Sequence, residues 1–215
     1  MAKPEILYVD DSVAVCIKLA GTDAQDAMCA LLREALGGEI YCVHRLDRGV
    51  GGVMVYARSA AAAAALSRAI TDGRMQKEYL AICAGKPEPA RGEMRDLLYH
   101  DAQRNKTYVV DRQRKGVREA LLEYQVLSSD ADASLIRVRL HTGRSHQIRV
   151  QFASRKMPLL GDRKYGSRER DCSIALWSTA LSFPHPVNGE LMRFSAYPPH
   201  VDPWTRFETA GDVNA

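Results

Sequence analysis

At 215 residues, 46% of them hydrophobic, the chain can bury one sizeable core or the cores of two closely joined subdomains. No uncharged apolar run approaches the roughly 18 residues of a membrane-spanning helix. The first residues, Met1 to Asp11, have no apolar signal core, which points away from export and towards a cytoplasmic protein. A formal charge of +4 and a pI of 8.8 are too modest to identify a nucleic-acid binder by themselves.

Residues 5–18 read as two short strands around an Asp10-Asp11-Ser12 turn, closed by Ala20-Gly21. Thr22 is placed to cap a helix, with Gln25 as its capping-box partner. Met28, Leu31, Leu32, Ala35 and Leu36 keep helical spacing, and Gly37-Gly38 ends the run. From Tyr41 to Ser59 two apolar, β-rich stretches flank a polar bend that holds His44, Arg45, Asp47 and Arg48, then Gly49, Gly51 and Gly52. A strand over 40–47 puts Arg45 and Asp47 on one face and His44 and Leu46 on the other. An arginine beside a carboxylate, next to glycines that admit close backbone approach, fits a functional site. It fits a surface ion pair at a turn equally well.

Ser59 caps a second helix through the alanine-rich 60–65, and Gly73 stops it. Residues 76–84 form a strand with Lys77, Tyr79 and Ala81 on one face. The Pro/Glu/Gly-rich connector at 85–93 is the one hinge the sequence offers. The basic segment 100–118 reads as hairpin and loop, and 119–128 and 134–142 as strands. The second of these alternates Ile136, Val138 and Leu140 inward against Arg137, Arg139 and His141 outward. Gly143 breaks it, and a helix begins near Ser145, carries Ile148 and Phe152, and ends before Pro158. Residues 174–196 hold two strands around Asn188-Gly189, a strong hairpin signal. The tail from about 205 is polar and expected to fray. The pattern is α+β: an antiparallel-rich sheet with a few helices packed on it, no internal repeat, and no linker long enough to separate independent domains.

Five cysteines (Cys16, Cys29, Cys42, Cys83, Cys172), odd in number and without a Cys-x-x-Cys pair, read as reduced thiols and not as a disulfide framework or zinc site. His141 and His146 lack an acidic or cysteine ligand at zinc spacing. Arg144 and His146 at a helix start suit an anion, or simply face water. The loop 161–166 either meets phosphate or merely turns. Basic residues crowd two stretches, Arg104, Lys106, Arg112, Arg114, Lys115 and Arg118, then Arg155, Lys156, Arg163, Lys164, Arg168 and Arg170. Such clusters suit phosphate contacts or solvated loops. No Gly-rich nucleotide loop, Gly-x-Ser-x-Gly elbow or zinc-protease helix occurs.

Five motifs follow one another: His44-Arg45-Leu46-Asp47-Arg48; Lys77-x-Tyr79-x-Ala81; Leu140-x-Thr142-Gly143-Arg144-x-His146-Gln147-Ile148-Arg149; Gly161-Asp162-x-x-Tyr165-Gly166; and Phe183-Pro184-His185-Pro186. Each is weak alone. In this order, from about residue 5 to about 198, they resemble the RluA-type RNA pseudouridine synthases. The resemblance implies the pseudouridine synthase fold, a mixed, mostly antiparallel sheet with flanking helices and a central active-site cleft. It implies a catalytic domain over 1–205 followed by a polar tail at 206–215, without the small N-terminal RNA-binding domain that some members carry.

The same resemblance implies that Asp47 is the catalytic aspartate, Tyr79 the tyrosine that contacts the target uracil, and Arg144 the basic partner of the aspartate. Arg45 falls to the flipped-out nucleotide or its phosphate, and His44, Arg48, His146, Gln147 and Arg149 to the substrate. The implied reaction isomerises uridine to pseudouridine in structured rRNA or tRNA, with RNA as partner, no membrane, no cofactor, no metal, and a monomeric enzyme. A carboxylate serves such chemistry as nucleophile or by stabilising charge on the sugar. A nearby arginine keeps it ionised, and an aromatic can receive a base that leaves its stack. A non-catalytic RNA-binding or RNA-folding protein that keeps the same fold is the alternative. The chain departs from the family pattern in three places. Arg48-Gly49-Val50-Gly51-Gly52 lacks the usual small Thr-Ser pair, Ile17-Lys18-Leu19-Ala20-Gly21 lacks a proline, and Leu176-Trp177-Ser178 stands where Leu-His-Ala is usual.

Overall fold

The computed structural model describes residues 4–169 and 171–207, so Arg170 and the part of the expected tail beyond 207 lie outside the described residues. In chain order the elements are β1 (Glu5–Val9), β2 (Val13–Lys18), α1 (Asp26–Leu36), β3 (Tyr41–Cys42), β4 (Gly51–Ala57), α2 (Ala60–Thr71), β5 (Gln76–Ala84), β6 (Arg91–Asp101), β7 (Lys106–Val110), β8 (Val117–Ser129), β9 (Ala133–Leu140), α3 (Gln147–Ser154), β10 (Leu176–Pro184) and β11 (Leu191–Ser195). Single 3-10 turns lie at Arg163–Tyr165 and Trp204–Arg206. Packing divides the chain into two compact units, Met1–Lys77 with Trp177–Pro198, and Glu78–Leu176 with Pro199–Ala215.

The first unit is built on the strand order β1-β2-β4-β10, with β3 on β4 and β11 on β10. β4 and β10 run parallel, and the other registered pairs are antiparallel, so the sheet is mixed. Every residue of β2 and β4 is buried, which is why both read as continuous apolar runs instead of alternating ones. One face carries Val13, Val15, Val53, Val55 and Ala57 against Ala62 and Leu66 of α2. On the other, the Tyr56 hydroxyl donates to the Ala24 carbonyl (2.7 Å) just ahead of α1. α2 starts where expected: the Ser59 hydroxyl accepts from the Ala62 N–H (3.2 Å), a cap that contributes about 1 kcal/mol. α1 starts later than the Thr22 reading. Asp23 takes the capping role, because its carboxylate accepts from the Gln25 and Asp26 N–H groups (2.9 and 2.6 Å), and a charged acceptor at a helix start caps at least as well as a threonine hydroxyl. Gly37, at φ 69°, ends the helix with its N–H on the Arg33 carbonyl.

The second unit orders its strands β5-β9-β8-β6-β7. β8 and β9 pair antiparallel with Tyr124 opposite Val138 and Val126 opposite Ile136. α3 buries Ile148, Val150 and Phe152, and Phe152 meets Tyr124 edge to face at 5.8 Å. The sequence reading missed β6. Its Met94 and Leu98 are buried four residues apart, a spacing that also suits a helix, because the inward position between them is polar. There Asp96 accepts from Gln151 (2.7 Å) and binds Arg155 (2.9 Å). The connector expected as a hinge lies inside this unit and is tied down: Gly85 N–H donates to Asp132, Tyr124 hydroxyl to Pro89, and Val126 N–H to Ala90. The unit boundaries fall instead within β5, at the start of β10 and after Pro198. At the C-terminal side Trp204 and Phe207 are buried and Arg206 grips Asp130, so the chain is held through residue 207.

Candidate active site

In the first unit the Asp47 motif is not the strand over 40–47 that alternation suggested. β3 stops at Cys42, and the chain leaves the sheet in order to turn into β4. The alternation nevertheless survives as burial: His44 and Leu46 are buried, Arg45 is exposed and Asp47 is half-buried. The Val50 N–H closes the turn on the Asp47 carbonyl (2.9 Å). The His44 ring is bonded to the neighbouring strand. Its Nε2 accepts from the Val55 N–H of β4 (3.2 Å) and its Nδ1 is buried without a partner. Burial first, and then the Lys77 charge, hold His44 well below its usual pKa, so the ring is neutral.

Two loops clasp one another beside Asp47. Gly21 N–H donates to the Arg48 carbonyl (2.7 Å), and Arg48 Nε donates back to the Gly21 carbonyl (2.9 Å). Lys18 is fully buried, and its ammonium donates to the carbonyls of Leu19, Thr22 and Arg48 at 3.2, 2.8 and 3.2 Å. Sequence reasoning named Lys18 only as part of the Ile17–Gly21 element and gave it no role, because a lysine that ends an apolar strand ordinarily reaches solvent.

The glycines after Asp47 answer to β10. A Cβ on Gly51 would sit 2.4 Å from the Trp177 ring, and one on Gly52, at φ 123°, would sit 2.3 Å from the Ser178 carbonyl oxygen. Two departures from the family pattern, the glycine before Gly52 and the tryptophan at 177, therefore face each other across the parallel β4–β10 pairing.

In the second unit the turn from Thr142 to Arg149 is organised by Gln147. Its Oε1 accepts from the Thr142 hydroxyl (2.8 Å) and the Arg144 N–H (3.0 Å), and its Nε2 donates to the Leu121 carbonyl (3.2 Å). The amide is buried, bonded both within its own loop and to β8. Arg144 is exposed with Nε on the Glu119 carbonyl (2.8 Å). His146 sits at φ 54°, a left-handed conformation rare outside glycine, and its Nδ1 lies 2.9 Å from the Tyr165 hydroxyl. Tyr165 also accepts from the Thr107 N–H (2.8 Å), and the Thr107 hydroxyl donates to the Ser145 carbonyl (2.8 Å). Arg149 does not project outward. It forms a bidentate pair with the buried Asp162 (2.7 and 2.8 Å) and stacks over Tyr165 at 5.1 Å. Asp162, Tyr165 and Thr107 are further residues the sequence reading gave no role. The loop 161–166 serves this turn from inside.

Tyr79 is buried on β5, and Lys77, half-buried two residues before it, has its amine pushed down to about 8 by burial. The five cysteines are free, and burial pushes Cys16 and Cys83 up to about 12 and Cys42 up to about 11, which keeps these thiols protonated. Among the described residues no cluster of His, Cys, Asp and Glu is arranged to hold a metal, and no helix is long and apolar enough to cross a membrane.

The family model described as RNA pseudouridylate synthase matches residues 12–154, about two thirds of the chain, which therefore belongs to that family. Among named relatives, an uncharacterized RNA pseudouridine synthase of Aquifex aeolicus is 36% identical over 172 residues, covering 74% of this chain and 53% of the relative. Ribosomal large subunit pseudouridine synthase C of Escherichia coli is 31% identical over 211 residues, covering 89% of this chain and 65% of the relative. The chain thus spans roughly half to two thirds of these relatives' lengths. The solved structure of human RNA pseudouridylate synthase domain containing 1 shares the fold, with a TM-score of 0.80 at 23% identity over 92% of this chain and 84% of that one.

Proposed function

We propose that this protein converts uridine to pseudouridine in a structured RNA, with Asp47 as the catalytic carboxylate. The observation that carries the reading is local: the aspartate of the His-Arg-Leu-Asp-Arg motif stands half-buried at a turn whose neighbouring peptides are clasped by Lys18 and Gly21, in a chain of this family. The reaction breaks a nitrogen–carbon glycosidic bond, turns the base and rejoins it through carbon, with no net redox change. Asp47 supplies the negative charge that meets the ribose, as nucleophile or as electrostatic partner. Tyr79 is assigned the role the family resemblance gives it, contact with the uracil that has left its stack, and Arg144 the role of the family's basic residue. Arg45, Arg48 and His146 belong to the RNA-facing set. The contacts of His44, Gln147 and Arg149 support a scaffold role for those three. The name of the Escherichia coli relative favours ribosomal RNA over tRNA as the substrate, and a cytoplasmic monomer is part of the same proposal.

Asp47→Asn is expected to abolish product, measured as pseudouridine formed in RNA from a strain lacking the gene, while RNA affinity stays within about threefold. Product formed by that variant on a true substrate would overturn the assignment. A wild-type protein that binds the RNA and modifies no site would leave a non-catalytic RNA-binding role in its place.

A further inference from the structure

Among the described residues Lys18 is the one fully buried lysine of the first unit, and its three N–H donors are matched to three backbone carbonyls. Two of these, Leu19 and Thr22, bound a tight turn in which Thr22 N–H returns to Leu19 (3.3 Å) and Gly21 takes φ 91°. The third is the carbonyl of Arg48, the residue directly after Asp47. That carbonyl also receives the Gly21 N–H, so one oxygen joins the two loops through two donors. Burying an ammonium with no directly bonded carboxylate is costly, and a purely apolar side chain at the end of β2 would avoid that cost.

We propose that Lys18 is a positioning residue for Asp47: its ammonium locks the 19–22 turn onto the Arg48 peptide, the peptide that directly follows Asp47. The inference deepens the reading of Asp47 as catalytic and rests on it. The charged groups that bear on Lys18 are Asp23 from the turn before α1 and Asp47 from the bend, both of which favour the ammonium, with the Arg48 guanidinium held on Gly21. Across the β2–β4 register Lys18 faces Gly52, which brings no charge. Burial outweighs the two carboxylates and lowers the amine to about 8, so the clasp loosens within an accessible alkaline range.

Two measurements on Lys18→Met test this. Hydrogen exchange at the Gly21 and Val50 amides, which donate to Arg48 and Asp47, reads the clasp without turnover. Exchange should rise about tenfold or more there, and amides of β4 and α2 should be unchanged. Single-turnover conversion of an RNA that the wild type modifies should fall about tenfold or more, with RNA affinity within about threefold. In the wild type this rate should also decline as pH rises through about 8, and in Lys18→Arg, whose charge persists, that decline should be missing. Unchanged amide exchange in Lys18→Met overturns the clasp, and faster exchange with an undiminished rate overturns the positioning role. The same alkaline decline in Lys18→Arg as in wild type overturns the role of the charge, and this comparison decides if Lys18→Met does not fold. If the wild type yields no product, the reading of Asp47 fails, and amide exchange alone decides the clasp.

Discussion

His44 shows how much a residue's surroundings alter its meaning. In the motif it stands among two arginines and an aspartate, and its position invites a role against RNA. In the fold its Nε2 takes a backbone N–H from β4 and burial keeps it neutral. The consequence is a stability effect with a definite sign. Unfolded, the imidazole titrates near ~6.5; folded, it titrates well below that. Its contribution is complete above the unfolded value and is lost as pH falls beneath it, by up to about 1.4 kcal/mol per pH unit, because only the unfolded chain takes up the proton. Urea denaturation between pH 7.5 and 5 should therefore show a steeper loss in wild type than in His44→Gln. The variant should start about 1–2 kcal/mol lower, having lost the bond to Val55. Parallel slopes in the two proteins would refute this account of the histidine.

Among elements, the meeting of β4 and β10 is the most informative. Gly51 admits the Trp177 ring, and the Trp177 Nε1 is anchored on the Ala196 carbonyl (2.9 Å), which leaves the ring little room to retreat. Gly51→Ser should cost about 1–3 kcal/mol by overpacking, and Trp177→His about 2–4 kcal/mol by leaving a void. The double variant, which restores the family's usual pair, should recover about 1 kcal/mol or more of their sum, read as the coupling in a double-mutant cycle of urea midpoints. Gly52→Ala is the control. It would meet the Ser178 backbone at a φ of 123°, so no side-chain change at 177 should rescue it, and additivity at Gly51 would end the pairing argument. Elements with their own end signals were legible: α2 from Ser59, the β10–β11 hairpin from Asn188-Gly189, the stop of α1 at Gly37. β6 was not, because Asp96 takes an inward position that only Gln151 and Arg155, more than fifty residues away, make acceptable.

At the scale of the molecule, the two basic clusters read from the sequence both belong to the second unit, and they are not equivalent. Arg104, Arg112, Arg114 and Lys115 are exposed on the β6–β7 hairpin and the loop that follows, and Arg118 at the start of β8. Arg155 is turned onto Asp96, and Lys164 caps the Asn105 carbonyl. Charge reversal at Arg112 and Lys115 should weaken RNA binding and lower the slope of log affinity against log salt by roughly 0.7–0.9 for each phosphate no longer neutralised. Reversal at Arg155 should lower stability through the Asp96 pair and leave the salt slope nearly unchanged. An unaltered slope in the Arg112 and Lys115 variants would remove this loop from the RNA interface.

The sequence by itself determined the α+β class, the helix ends that carry their own caps and glycines, and the order of five motifs that marks the family. These are local or additive properties, and a chain states them wherever it folds. Only the tertiary structure decided which motif side chains are bonded into the fold. His44 and Gln147 are claimed by backbone groups of neighbouring strands, Arg149 by a carboxylate thirteen positions on, Lys18 by a carbonyl thirty positions on. Each assignment depends on register and loop closure between distant segments, and burial then sets the charge. The loops on either side of Asp47 show both sources together: the motif names the carboxylate, and the clasp of Lys18, Gly21 and Arg48 holds the peptide beside it.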